Sequence, residues 1–166
     1  RIETDNNRKY NSKEEIVILK VLVVDDSLIM RRNISKTVEA LGHKVVHEAK
    51  DGLEAVSLYE RLQPDLVMMD ITMPEMDGIS AVKAIIGLNK EAKIVMVTAH
   101  GQGDMVVQAI RSGASGYLLK PLSIVKLRES IRKIFPHIPQ ELEQIHEQSE
   151  LPRNEEIVLL EAGKEE

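Results

Sequence analysis

The stretch IVILKVLVVDDS, residues 16–27, joins a run of aliphatic residues to an abrupt acidic end. Residues 16–24 predict a buried strand, because a strand covered on both faces is apolar without alternation. The acidic pair Asp25 and Asp26 ends this strand. Apolar residues at helical spacing follow from residue 27 to residue 41 and predict a helix. A buried strand followed at once by a helix is typical of sheets built from parallel strands.

The same alternation continues to residue 136. The predicted strands are residues 16–24, 44–49, 66–69, 94–97 and 117–119, and the predicted helices are residues 27–41, 53–62, 78–88, 105–110 and 123–135, the last capped by Ser123. Strands that alternate with helices predict an α/β fold, a doubly wound five-stranded parallel sheet with helices on both faces. Right-handed crossovers leave few topologies for such a sheet.

Three segments follow from this pattern. Residues 16–136 form the predicted domain. Residues 1–15 are polar and aperiodic, which predicts a disordered extension. Residues 137–166 carry two basic against nine acidic residues and predict an acidic tail or linker with short helices. Such helices are marginal in water, so the tail is either a linker, a segment docked on this domain, or a contact between two copies.

Composition excludes several classes of function. The chain has no cysteine, so a disulfide scaffold, a cysteine zinc site and a thiol nucleophile are excluded. Its apolar runs are far shorter than the roughly 18 residues of a membrane helix. A basic stripe with interleaved aromatic residues is also missing, which argues against direct contact with nucleic acid. We expect a cytoplasmic protein that contacts neither a membrane nor nucleic acid.

Polar residues end four of the predicted strands. Asp25 and Asp26 follow the first strand, Asp70 the third, Thr98 the fourth and Lys120 the fifth. The carboxyl ends of parallel strands converge at one edge of the sheet, where ligands bind. Crowded carboxylates repel one another unless a cation lies among them, and Mg²⁺ accepts such oxygen ligands. With an ammonium and a hydroxyl nearby, the set suits a phosphoryl group.

These residues lie in recognisable motifs. The motifs are VLVVDDS (21–27), MRR (30–32), MMDITMPEMDG (68–78), VTA (97–99) and SGYLLKP (115–121). Residues 20–135 resemble the receiver domain of two-component response regulators, most closely the single-domain chemotaxis type. The resemblance implies the flavodoxin-like receiver fold and a Mg²⁺-dependent signalling role in a phosphorelay, with no enzymatic turnover of a separate substrate.

The resemblance also implies the chemistry of the site. Asp70 would be the phosphoacceptor, attacking a phosphohistidine or a small phosphodonor to form an aspartyl phosphate. Asp26 and Asp70 would ligate Mg²⁺ directly, Asp25 would act mostly through water, and the backbone carbonyl of Thr72 would add a ligand.

Two further site residues would act on the phosphoryl group itself. Lys120 would pair with its oxygens, and Thr98 would donate a hydrogen bond to one of them. Tyr117 would rotate into the space that Thr98 vacates on phosphorylation. The surface of the fourth helix, fifth strand and fifth helix would then change shape and bind an output protein.

The resemblance assigns loop-shaping roles to three residues. Pro74 and Gly78 would shape the loop after Asp70, with the glycine relieving a backbone constraint. Pro121 would follow a cis peptide that aims the preceding lysine inward.

Two positions depart from the commonest chemotaxis pattern. Thr72 and His100 stand where the family's side chains flank the phosphoryl group, so the lifetime of the phosphorylated state stays open. The remaining histidines are scattered, and we interpret them as surface residues: His43, His47, His137 and His146.

Three functions compete at this point. The first is a signalling module that takes a phosphoryl group from a histidine kinase or a histidine phosphotransfer protein and acts by binding an output protein, as a monomer or a homodimer. The second is the receiver of a longer regulator with a DNA-binding or enzymatic output domain. The third is an aspartyl-nucleophile phosphatase. Those enzymes carry a general-acid aspartate two residues after the nucleophile, where this chain has Thr72.

Overall fold

The computed structural model describes residues 17–100 and 102–138, and within them the chain forms one parallel sheet. Its strands are β1 (Lys20–Val24), β2 (Lys44–Ala49), β3 (Leu66–Met69), β4 (Ile94–Thr98) and β5 (Gly116–Leu119). They are arranged in the order β2-β1-β3-β4-β5, and every neighbouring pair is parallel. The predicted fold class is therefore confirmed.

The helices alternate with the strands along the chain. They are α1 (Leu28–Ala40), α2 (Gly52–Leu62), α3 (Gly78–Leu88), α4 (Gly103–Arg111) and α5 (Ile124–Ile134). Within the described residues, none of these helices is long and apolar enough to cross a membrane. The proposed elements of the acidic tail lie outside the described residues, as do residues 1–16.

Side-chain caps begin three of the helices. The Ser27 hydroxyl accepts a hydrogen bond from the Met30 backbone N–H at 3.4 Å, which caps α1. Carboxylates cap α2 and α3 in the same way, because unpaired N–H groups at a helix start need an acceptor. Ser123 occupies the cap position of α5, but its side chain makes no capping hydrogen bond. Ser123 therefore stands at the predicted cap position, but the prediction that its side chain caps α5 is wrong.

The two faces of the sheet bury separate hydrophobic clusters. Leu22 and Val24 of β1 face the cluster that includes residues of α2 and α3. Val21 and Val23 point to the opposite cluster, which includes residues of α1 and α5. All four side chains are fully buried. Burying a Val or Leu side chain stabilises a fold by about 1.5–3 kcal/mol, so β1 is a rigid platform for the residues that follow it.

The predicted first strand, residues 16–24, is too long at its start. Val17, Ile18 and Leu19 are not strand residues, and Ile18 is 56% exposed. Lys20 is the first residue of the strand with a partner across the sheet, Lys44. Apolar composition continues past the point where neighbouring strands are available to pair, and a strand ends where its ladder ends. The fourth helix differs in the opposite sense: it was predicted at residues 105–110, and in the structure it is longer, Gly103–Arg111.

Candidate functional site

The three predicted carboxylates meet at the carboxyl edge of the sheet. β1 and β3 are neighbours, and the Asp70 backbone N–H donates to the Val24 carbonyl at 2.9 Å, which sets Asp70 beside the end of β1. Carboxylate oxygens of Asp25, Asp26 and Asp70 all lie within 4.8 Å of one another. Asp25 is fully buried, Asp70 is 7% exposed and Asp26 is exposed. The cluster is therefore open to solvent on the side of Asp26.

Lys120 brings a positive charge into this cluster. Its Nζ lies 2.8 Å from Asp25 Oδ2 and 3.3 Å from Asp70 Oδ1. The Lys120 backbone N–H also donates to the Thr98 carbonyl at 2.8 Å, so the lysine stays bonded to the end of β4. The peptide between Lys120 and Pro121 is cis, as the resemblance implies.

The lysine compensates the negative charge at Asp70 only in part. Burial raises the pKa of Asp70, and the charge of Asp25 raises it further. Contact with Lys120 and a hydrogen bond from the Ile71 N–H offset only part of this rise in pKa. Burial also lowers the pKa of Lys120, but its hydrogen bond to Asp25 and the charges of Asp70 and Asp25 together raise it overall. The site as it stands has more negative charge than one ammonium balances.

The donor set fits a hard divalent cation. The clustered ligand atoms are carboxylate oxygens, which Mg²⁺ and Ca²⁺ prefer, and the chain has no cysteine to offer a thiolate. Mg²⁺ is held in proteins by one or two carboxylates with water completing its shell, which suits a cluster with one exposed member. The Asp25, Asp26 and Asp70 cluster could therefore hold a metal ion.

A network behind the acidic pair positions it. Arg31 of α1 donates to the carbonyls of Asp25 and Asp26 at 2.7 and 3.3 Å, and its Nε lies 3.5 Å from Glu48 Oε2. The Ser35 hydroxyl donates to Glu48 Oε1 at 2.7 Å. The β1–α1 loop is thus tied to both α1 and β2. Sequence reasoning quoted Arg31 within the MRR motif but assigned it no role.

Two glycines allow the loop between β3 and α3 to lie against its neighbours. A Cβ atom on Gly78 would lie 2.1 Å from the Asp70 carbonyl oxygen, and the Gly78 N–H donates to the Ile71 carbonyl at 2.7 Å. The requirement at Gly78 is therefore close approach of two backbones. A Cβ on Gly52 would lie 2.5 Å from the Met76 carbonyl oxygen.

Pro74 lies at the exposed bend of the same loop. Its carbonyl accepts a hydrogen bond from the Met76 N–H at 2.8 Å across Glu75, which has a φ of 64°. This tight turn sends the loop back toward the start of α3.

Thr98 ends β4 with a fully buried side chain. Its hydroxyl donates to Oε1 of Gln102, just before α4. The same oxygen accepts the Ala99 N–H at 3.2 Å, and Gln102 Nε2 donates to the Thr72 hydroxyl at 2.8 Å. Gln102 thus forms a bridge between Thr98 and Thr72. Because Thr72 is exposed, this bridge lies at the rim of the site. Sequence reasoning did not single out Gln102.

Tyr117 lies on β5 and its side chain is 53% exposed. A cavity of about 580 Å³ is lined by Tyr117, Thr98, His100 and Val106 together with other residues of α4 and β5. The cavity therefore extends from the threonine at the site to the tyrosine at the surface.

One histidine differs from its predicted setting. His43 is half-buried, and its Nδ1 accepts a hydrogen bond from the Leu19 N–H at 3.3 Å. Burial lowers the pKa of His43. The prediction that His43 is a surface residue is therefore wrong, whereas His47 and His137 are exposed. His146 lies outside the described residues.

A family model for the response regulator receiver domain matches residues 21–132. The chain belongs to the response regulator receiver family. The receiver domain is 44% identical over 116 residues to the chemotaxis protein CheY of Listeria monocytogenes, a match that covers 70% of this chain and 98% of the relative. It is 45% identical to CheY of Bacillus subtilis over 114 residues, with coverages of 69% and 95%.

Solved structures agree with this assignment. The receiver domain is similar to CheY in the CheX-CheY-BeF3-Mg+2 complex of Borrelia burgdorferi, with a TM-score of 0.67, 33% identity, and coverage of 70% of this chain and 89% of that one. The response regulator domain of Thermotoga maritima CheB gives a TM-score of 0.66 at 35% identity, covering 74% and 100%. The chain is therefore a CheY-like receiver of two-component signalling.

Proposed function

We propose that this receiver domain is a phosphoacceptor and that Asp70 takes the phosphoryl group. The observation that carries the proposal is the 3.3 Å contact between Asp70 Oδ1 and Lys120 Nζ, made beside the carboxylates of Asp25 and Asp26. An aspartate in this position has an ammonium within reach of any phosphoryl oxygen that it acquires. Receiver domains interact with kinases, so the donor would be a histidine kinase or a histidine phosphotransfer protein.

The transfer would run as an in-line displacement. A carboxylate oxygen of Asp70 forms a bond to phosphorus while the bond from phosphorus to the donor's imidazole nitrogen breaks, and the nitrogen keeps the electron pair. Lys120 pairs with a phosphoryl oxygen, and the Thr98 hydroxyl donates to another. Positioned donors of this kind stabilise the charge that develops during transfer.

The cation would be Mg²⁺, held by Asp26 and Asp70 directly, by Asp25 through water and by the Thr72 backbone carbonyl. When bound, it would neutralise part of the charge on the phosphoryl oxygens. The carboxylate cluster and its exposed member Asp26 support this assignment.

The output would be a change at the face of α4, β5 and α5. Loss of the present contacts of Thr98 would open space toward the cavity that Tyr117 lines, and Tyr117 could then turn inward. The exposed apolar side chains of Val107 and Ile110, on α4, line this cavity. An output protein would bind this face when Tyr117 is in one of two positions, turned outward as in this structure or turned inward.

Intact mass spectrometry tests the acceptor. Incubation with Mg²⁺ and acetyl phosphate should add one phosphoryl group to the wild type and none to Asp70→Asn. Asp65→Asn is the matched control, because Asp65 precedes the opposite end of β3 and its carboxylate accepts the Lys20 N–H at 2.7 Å. Equal modification of wild type and Asp70→Asn would refute the assignment of Asp70.

A longer regulator is the second candidate. The receiver domain is 42% identical to the transcriptional regulatory protein PdtaR of Mycobacterium tuberculosis over 112 residues, which covers 68% of this chain but 54% of that relative. The full-length gene product distinguishes the two candidates, since a second folded domain beyond residue 166 would identify a multidomain regulator.

A phosphatase acting on separate substrates is disfavoured by Thr72, whose side chain is bonded to Gln102 and is no acid. Turnover of phosphate monoesters at enzyme-like rates would reverse this inference.

A further inference from the structure

The Gln102 side chain joins two loops at the rim of the site. Its Oε1 accepts hydrogen bonds from the Thr98 hydroxyl and from the Ala99 N–H, the latter at 3.2 Å. Its Nε2 donates to the Thr72 hydroxyl at 2.8 Å. Gln102 precedes α4, whereas Thr72 follows β3, so one amide connects the segments that leave two neighbouring strands.

In this bridge the hydroxyl proton of Thr98 is already donated, so it is not available to another acceptor. A threonine hydroxyl has one proton to donate, and in this structure Gln102 Oε1 receives it. A phosphoryl oxygen on Asp70 could accept that proton only after the bond to Gln102 is broken. The Thr98 side chain is fully buried, and its other hydrogen-bond acceptor within the described residues is the Ala99 carbonyl, at the longer distance of 3.4 Å. The bridge therefore favours the unmodified arrangement of the threonine.

The bridge lies outside the hydrophobic core. Gln102 is half-exposed and Thr72 is exposed. Neither side chain contributes to the two apolar clusters that hold the helices on the sheet. Removing the Gln102 amide should consequently leave the sheet and its helices in place while freeing the threonine.

We propose that Gln102 is a positioning residue that competes with the phosphoryl group for the Thr98 hydroxyl and so sets how readily the receiver changes state. The inference rests on the proposed function, in which Asp70 carries that group. A hydrogen bond made in only one of two states favours that state. Its removal should favour the other state by about two- to tenfold, the factor that corresponds to one side-chain hydrogen bond of ordinary net strength.

The test uses Gln102→Met, which keeps the length of the side chain and removes both its acceptor and its donor. Beryllium fluoride with Mg²⁺ serves as the phosphoryl analogue, and its affinity is measured by calorimetry on the full chain. Gln102→Met should bind it about two- to tenfold more tightly than the wild type. Gln108→Met is the matched control, because Gln108 is exposed on α4, and its affinity should equal that of the wild type.

A second measurement separates competition for the hydroxyl from a purely structural role. The methyl resonance of Thr98 is recorded without ligand in the wild type and in both variants. In Gln102→Met it should move toward its position in the wild type bound to beryllium fluoride, and in Gln108→Met it should not. A residue that only held the loops together would change stability without moving the signal in that direction.

The outcomes are distinguishable. Equal or weaker binding by Gln102→Met, with normal binding by the wild type, would overturn the role of Gln102 and leave Asp70 as the acceptor. Failure of the wild type itself to bind the analogue would overturn the proposed function and this inference with it.

Discussion

The Nζ atom of Lys120 lies 2.8 Å from Oδ2 of Asp25, and the aspartate side chain is almost completely inaccessible to solvent. A buried carboxylate without a partner is costly, so this ion pair compensates the burial of Asp25 at the end of β1. The lysine side chain is 19% exposed and retains access to the solvent side of the site. The contact thus serves both the stability of the domain and the charge balance of the site.

Lys120→Met should destabilise the metal-free protein by about 2–3 kcal/mol, because it leaves two adjacent carboxylates without their ammonium. Urea denaturation at neutral pH measures the change in the free energy of unfolding. Lys126→Met is the control, since Lys126 is exposed on α5, and its stability should match the wild type. An unchanged free energy of unfolding in Lys120→Met would mean that the ion pair has no net value.

Asp70→Asn should stabilise the metal-free protein, and the gain should grow with pH. The folded protein raises the pKa of Asp70, mainly through burial and then through Asp25. The cost of ionising it is therefore absent below its ordinary value of 3.8, rises above that value and is complete above the raised pKa. Melting temperatures measured in a chelator from about pH 4 to about pH 8, that is, upward from near the ordinary value of 3.8, test this. A gain that shrinks toward pH 8 would contradict it.

Mg²⁺ should raise the melting temperature of the wild type, because a ligand that binds only the folded state stabilises it by mass action. At about 100 times the dissociation constant the expected stabilisation is about 2.7 kcal/mol. Asp26→Ala should abolish most of this effect while costing little stability without metal, since Asp26 is exposed. Asp104→Ala, on the exposed first turn of α4, is the control and should respond to Mg²⁺ as the wild type does.

Arg31→Met should weaken Mg²⁺ binding, because Arg31 holds the β1–α1 loop that carries Asp25 and Asp26. The variant loses donors to the carbonyls of Asp25 and Asp26 and the contact with Glu48. We expect a loss of about 1–2 kcal/mol in the free energy of unfolding and a lower affinity for Mg²⁺, because the β1–α1 loop is no longer held. Arg32→Met, at the next position and exposed, should change neither quantity. Wild-type Mg²⁺ affinity in Arg31→Met would remove the positioning role.

The site residues that could be predicted from the sequence share one property, which is that each lies at the carboxyl end of a strand. Asp25, Asp70, Thr98 and Lys120 are placed by the ends of β1, β3, β4 and β5, so predicting the strands was enough to bring them together. The same pattern overextended β1, because aliphatic composition does not mark where a neighbouring strand begins.

The contacts that escaped prediction are made across loops. Gln102 and Thr72 are 30 residues apart, and their contact depends on the path of two irregular segments. Gly78 similarly depends on the approach of its own backbone to the Asp70 carbonyl, which periodicity does not encode. Local patterns predict regular elements, whereas such contacts follow only once those elements are assembled.

The lysine of the site follows Asp25 by 95 residues, and this spacing bears on synthesis of the chain. A ribosome completes β1, β3 and β4 before it reaches Lys120, and domains begin to fold during synthesis at about 5–20 residues per second. The growing chain thus carries Asp25, Asp26 and Asp70 for several seconds before Lys120 is made. A nascent chain halted before β5 would hold an acidic cluster with no internal counter-charge, and a divalent cation from the surrounding solution would be the natural substitute until translation resumes.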